Sequence, residues 1–131
     1  MGSMIGAAKF DMLFIQFYNN PGCSANQFVS PTANAGFNFD DWKNYTDAGA
    51  SAGAQLFIGL PASPNGATGT ASGAQYYMQP ENLTALVNEY KSHAGFAGVM
   101  LWDAAQSDTI DVNGCNYAQE VKTVLETGSR C

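Results

Sequence analysis

Met12-Leu13-Phe14-Ile15-Gln16-Phe17-Tyr18 is the stretch on which the fold turns. It is almost unbroken in apolar character and rich in β-branched and aromatic side chains. Two later runs share that character, Leu56-Phe57-Ile58-Gly59-Leu60 and Gly98-Val99-Met100-Leu101-Trp102. Continuous rather than alternating hydrophobicity suits parallel strands buried on both faces.

Helical patterns separate the three runs. Asn38 is placed to cap a first helix, with Asp40 and Asp41 in its opening turn, where the helix dipole favours negative charge. The glycines at 49 and 53 stop it. A second helix starts at Pro80 and Glu81, with Leu83, Leu86, Val87 and Tyr90 forming an apolar stripe. A third spans about 116–126, with Tyr117, Val121, Val124 and Leu125 turned inward.

The predicted order is β-α-β-α-β-α, and regular alternation with long crossovers means parallel strands with helices outside. The segments after the first two strands, 19–36 and 61–79, are long and rich in Gly, Pro, Ser and Asn. Links from helix to strand are short. That asymmetry is the one found in a TIM barrel, whose functional face lies at the C-terminal ends of its strands. Three strands cannot close a barrel, which takes eight. The fold expected is α/β, a partial barrel in one segment over 1–131, with a flavodoxin-like three-stranded sheet as the alternative. No glycine-rich phosphate loop follows any strand, so a nucleotide has no site here.

Composition narrows the partners. Of 131 residues, 46% are hydrophobic and 12% charged, with 5 Lys and Arg against 11 Asp and Glu and a net charge of −6. Nucleic acid and anionic membranes are excluded as natural partners. No apolar run approaches the roughly 18 residues that cross a bilayer. Met1–Phe10 lacks a charged start followed by a long apolar core, so it does not read as a signal peptide. Asn44-Tyr45-Thr46 and Asn82-Leu83-Thr84 are N-glycosylation acceptor triplets and point outside the cell, as do the scarcity of Lys and the many Ser, Thr, Asn and Gly residues.

The strand ends carry the chemistry. The first closes as Gln16-Phe17-Tyr18-Asn19-Asn20-Pro21, the second as Gly59-Leu60-Pro61-Ala62, and the third as Gly98-Val99-Met100-Leu101-Trp102-Asp103. Gln16 and Tyr18 lie two apart and point the same way, leaving Ile15 and Phe17 to face the helices. Trp102 can offer its ring to the apolar face of a sugar. In order and spacing these motifs resemble the sixth, seventh and eighth strands of plant- and fungal-type (class III) chitinases of glycoside hydrolase family 18. The resemblance covers nearly the whole chain, Met1–Phe10 matching the helix before the sixth strand.

That resemblance implies a secreted enzyme acting on chitin, a β-1,4 polymer of N-acetylglucosamine, with no cofactor or metal. In the family the substrate's own N-acetyl group attacks the anomeric carbon and the product retains configuration. Tyr18 would then donate its hydroxyl to the acetamido carbonyl and the oxazolinium-like intermediate. Gln16 would bond nearby, Met100 would line the pocket, and Trp102 would form the floor under the distorted sugar. Asn19, Asn20 and Ala62 would lie at the rim. The family's general acid, the last residue of D-x-x-D-x-D-x-E on its fourth strand, has no counterpart. Phe37-Asn38-Phe39-Asp40-Asp41 has no Glu behind it, and nothing positions Asp103 as a replacement. Since such an acid contributes about 100- to 10,000-fold, the chain alone is expected to be inactive as an enzyme.

Three functions therefore compete: a chitinase segment missing its N-terminal half, a chitin-binding module without turnover, and a half-barrel that self-associates as a homo-oligomer. The remaining candidates are bland. His93 is a solvated histidine at a polar helix end, no His, Cys or carboxylate cluster has metal-ligand spacing, and no serine lies in a G-x-S-x-G turn. Tyr76 and Tyr77 either touch a bound glycan or pack. Cys23, Cys115 and Cys131 leave at least one thiol without an intrachain partner. By the resemblance Cys23 matches a cysteine bonded to a preceding segment in plant relatives; here it is free, paired with Cys115, or a link between chains.

Overall fold

The computed structural model describes residues 2–34, 36–68 and 71–131. A short helix α1 (Gly2–Ala7) precedes strand β1 (Met12–Gln16); helix α2 (Phe39–Asp47), strand β2 (Gln55–Pro61), one-turn helix α3 (Ala71–Ala74) and helix α4 (Pro80–Tyr90) follow. Strand β3 (Phe96–Trp102), one-turn helix α5 (Ala104–Ser107) and helix α6 (Tyr117–Thr127) complete the order. The three strands form one parallel sheet in the order β1-β2-β3, so β1 and β3 are its edges.

The register puts Phe14 beside Phe57, Gln16 beside Gly59, Met100 beside Gly59 and Trp102 beside Pro61. Paired residues of parallel strands share a face. On one face Ile15, Phe17, Leu56, Ile58, Leu60 and Ala62 are buried with Leu83, Leu86 and Val87 of α4 and Val121 and Val124 of α6. Phe28 and Phe37, from the long segment after β1, close over this core by edge contacts with Tyr90, at 5.8 and 5.1 Å between ring centres. Such pairs add about 0.5–1.5 kcal/mol beyond the area they bury, and they pin that segment to α4.

The other face is open. Met12 and Phe14 are 53% and 58% exposed, and the Phe14 and Phe57 rings meet at 4.7 Å. The apolar run of β1 predicts burial on both faces; the structure buries one, because among the described residues no helix or strand covers Met12 and Phe14. On this face Gly59 lets the sheet pack tightly, since a Cβ there would stand 2.5 Å from the Ile15 carbonyl oxygen and 2.8 Å from the Met100 methyl.

Helix ends follow the sequence at the starts of α4 and α6 and depart from it at both ends of α2. Pro80 opens α4, and α6 begins with a reciprocal capping box in which the Asn116 side chain accepts from the Gln119 N–H and the Gln119 side chain from the Asn116 N–H. Asn38 does occupy the cap position of α2, but its side chain makes no capping bond and its buried Oδ1 finds no partner. The acidic first turn, Asp40 and Asp41, supports that end instead. Helix α2 stops at Asp47, short of Gly49.

Candidate functional site

All three strands run the same way, so their C-terminal ends meet at one edge of the sheet. A depression of about 240 Å³ lies there, lined by Gln16 and Tyr18 from the end of β1, Asn19 beyond it, Ala67 from the segment after β2, and Trp102 from the end of β3. The sheet thus brings Gln16, Tyr18, Asn19 and Trp102 together.

Local chemistry fixes the β1 end. Asn19 adopts a left-handed backbone with φ of 59°, a conformation asparagine tolerates better than most residues. The chain turns there, and the Asn20 amide donates to both the Gln16 carbonyl at 3.1 Å and the Tyr18 carbonyl at 3.0 Å. The Gln16 amide also donates to the Tyr18 carbonyl, at 3.0 Å. Gln16 and Asn20 therefore hold the Tyr18 backbone. Asn19 donates to the Ala67 carbonyl at 3.2 Å, tying the β1 turn to the β2 segment, and leaves its buried Oδ1 without a partner. Tyr18 is 5% exposed, and burial pushes its hydroxyl above the ordinary 10.0. At neutral pH it is a protonated donor.

Trp102 is 54% exposed, with its carbonyl accepting from the Ala62 N–H at 2.9 Å and a cis peptide joining it to Asp103. The Asp103 carboxylate accepts from the Gln106 N–H at 3.0 Å and caps α5, so it is committed to the fold. Met100 lies one pair back on the open sheet face, its methyl over Gly59. Ala62 requires a correction. It is fully buried in the core rather than at the rim, because it falls on the helix-facing side of β2 with Leu60. Among the described residues that line the depression, none is a carboxylate.

Other expectations resolve around this edge. Tyr76 is 9% exposed and the Tyr77 ring meets Tyr117 at a tilt, 5.1 Å between centres, so both pack. His93 is not simply solvated: its ring nitrogens meet Asp40 at 3.1 Å and Glu89 at 3.6 Å, linking α2 to the end of α4. Cys115 and Cys131 form a disulfide, which removes the pairing of Cys23 with Cys115; Cys23 is a free, half-buried thiol. No group of three potential metal ligands occurs among the described residues, and no helix there is long and apolar enough to cross a membrane. The sequence reading missed the Cys115–Cys131 bridge and the buried Glu120 that the C-terminal tail satisfies; one cysteine spacing among three carries no signal for either.

An α/β strand-end site built around a buried tyrosine and an exposed tryptophan is the class this geometry defines. No family model matches the chain. All 131 residues align at 47% identity with Endochitinase 2 of Metarhizium robertsii, covering 31% of that protein. Endochitinase A of Emericella nidulans is 42% identical over 120 residues, 90% of this chain and 12% of that one. Among solved structures, the ICChI chitinase from Ipomoea carnea matches with a TM-score of 0.50 and 29% identity, over 77% of this chain and 34% of that one. The chain is a homologue of these chitinases, and it spans about a third of the first relative's length.

Proposed function

We propose that residues 1–131 are a single segment of a family 18 chitinase barrel, supplying its sixth to eighth strands, and that the depression between β1 and β3 is half of a chitin-binding cleft. The observation that carries this is the meeting of Tyr18 and Trp102, from the first and last strands, on one depression at the C-terminal sheet edge. The homology to fungal endochitinases supports chitin oligosaccharides as ligands, and the two N-glycosylation acceptor triplets fit an extracellular location.

In this reading Trp102 is the apolar floor for a sugar ring. The Tyr18 hydroxyl, protonated at neutral pH, donates to the acetamido carbonyl of the bound sugar and orients it toward the anomeric carbon, as substrate-assisted retention requires. Gln16 and Asn20 hold Tyr18 by its carbonyl, and Asn19 ties the β1 turn to the Ala67 carbonyl beside it. Met100 fills the sheet face behind the site. None of the described residues that line the depression is a carboxylate able to protonate the leaving oxygen, so in this reading the 131-residue chain binds without turnover.

A turnover assay of the isolated chain on a fluorogenic chitobioside tests this. No release above buffer is expected. Release at the rate of a full-length relative, abolished by Tyr18→Phe, would show that the chain carries an acid of its own.

A further inference from the structure

We infer that Gln106 is a positioning residue for Trp102, acting through Ser63 and Asp103; this rests on Trp102 being the floor of the proposed site. A tryptophan 54% exposed has little packing to hold its ring, so its orientation must come from the peptides on either side. On one side the segment after β2 is folded onto the Trp102 carbonyl. The Ala62 N–H donates to it at 2.9 Å, and Gly66 lies so close that a Cβ would stand 2.7 Å from that oxygen. On the other side Asp103 caps α5 by accepting from the Gln106 N–H at 3.0 Å, and its carbonyl accepts from the Ser107 N–H at 2.9 Å.

Gln106 joins the two sides. Its Oε1 accepts from the Ser63 hydroxyl at 2.6 Å, and Ser63, 2% exposed, in turn accepts from the Asn65 N–H at 3.1 Å. One residue therefore ties the segment over Trp102 to the helix that follows it. Helix α5 is itself anchored, since the Ser107 hydroxyl accepts from the Ala118 N–H of α6 at 2.7 Å. Without the Gln106 side chain, a buried serine hydroxyl loses its acceptor and the turn at 62–66 loses its tie to α5. The backbone on the two sides of Trp102 can then shift independently, while the residue itself is untouched.

The test uses the full chain with Trp42→Phe, which leaves Trp102 as the sole tryptophan emitter. Fluorescence anisotropy and acrylamide quenching of the unliganded protein are measured for the parent, Gln106→Leu, Gln106→Glu and Ser63→Ala, alongside chitotriose affinity. Gln106→Leu keeps the volume and removes the acceptor; it is expected to lower anisotropy, raise quenching and weaken binding roughly fivefold, the scale of one neutral hydrogen bond. Gln106→Glu, which still accepts from Ser63, restores both readouts. Ser63→Ala matches Gln106→Leu, and the double variant is no worse than either; Ser63→Ala also carries the test if Gln106→Leu does not fold. Unchanged anisotropy in a folded variant, or failure of Gln106→Glu to restore it, overturns the assignment. If the parent binds no oligosaccharide, the glycan reading fails, and the unliganded anisotropy still decides the positioning role.

Discussion

A tyrosine that serves as a hydrogen-bond donor must stay protonated; a phenol of ordinary value 10.0 already does so at neutral pH, and burial carries Tyr18 further in the same direction. Burial also raises Tyr90 and holds Tyr117 well above the ordinary value, while Tyr77, buried first and then facing the Glu81 and Glu120 charges, is pushed up to about 12. These hydroxyls ionise later in the folded chain than in the unfolded one. Their contribution to stability is thus complete below the unfolded value of 10.0 and is lost as pH rises through the folded values. An ultraviolet titration should show tyrosines ionising above the ordinary 10.0, with the melting temperature falling between pH 10.0 and about 12. Tyr77→Phe should flatten part of that fall. Ionisation of all six tyrosines in a single step near 10.0 would contradict the burial described. That Tyr18 and Trp102 reach the same sheet edge was legible in the sequence, because the strand-end motifs fix both identity and spacing. Ala62 was not, since a motif position does not say which face of the strand a side chain takes. Gln106 and Ser63 lie 43 residues apart, and no local pattern announces a bond between them.

At the scale of elements, α6 shows how a helix is locked into place. Its capping box satisfies two N–H groups, and Asn116→Ala should cost about 1 kcal/mol in a denaturant melt. Its inward face carries Glu120, 0% exposed, whose carboxylate accepts from the Arg130 guanidinium at 3.1 Å and the Cys131 N–H at 2.7 Å. Both partners come from the tail beyond α6, and the Cys115–Cys131 disulfide, across a separation of 16 residues, holds that tail down. Cys115→Ser removes a loop closure worth about 3 kcal/mol and frees the partners of a buried charge. It should therefore lower the melting temperature more than Asn116→Ala does. Arg130→Met should likewise destabilise more than Lys122→Met, whose exposed pairing with Glu126 at 3.9 Å contributes little. Equal effects of the two would show that Glu120 does not depend on the tail. The helices and strands themselves were readable from hydrophobic period and from Pro80, Asn116 and the acidic first turn of α2. The lock was not, because Glu120 looks from sequence like any polar helix residue, and its burial is decided by the tail folding back over it.

For the molecule as a whole, one covered sheet face and edge strands β1 and β3, each paired on one side only among the described residues, define the behaviour. Along the edge of β1 a groove of about 540 Å³ is lined by apolar residues that include Leu13, Phe14, Phe17 and Trp42, with the free thiol of Cys23 at its border. A free parallel edge beside exposed Met12 and Phe14 is a template for association. We expect the isolated chain to self-associate, hiding edge and open face together. Light scattering coupled to gel filtration, with and without reductant, checks this; a monodisperse 13.9 kDa species with a cooperative melt would contradict it. The sequence disclosed the three βα units and their parallel strands, but not which face stays bare, since apolar runs look the same whether or not a partner covers them. The half-cleft itself is tested most directly by calorimetric titration of N-acetylglucosamine tetramer into the wild-type chain, Tyr18→Phe and Trp102→Ala. Weak binding by the wild type, reduced about fivefold or more by Trp102→Ala on the scale of a lost aromatic contact and less by Tyr18→Phe, is the predicted result. Equal heats for all three proteins, or none for any, would contradict a glycan site between β1 and β3.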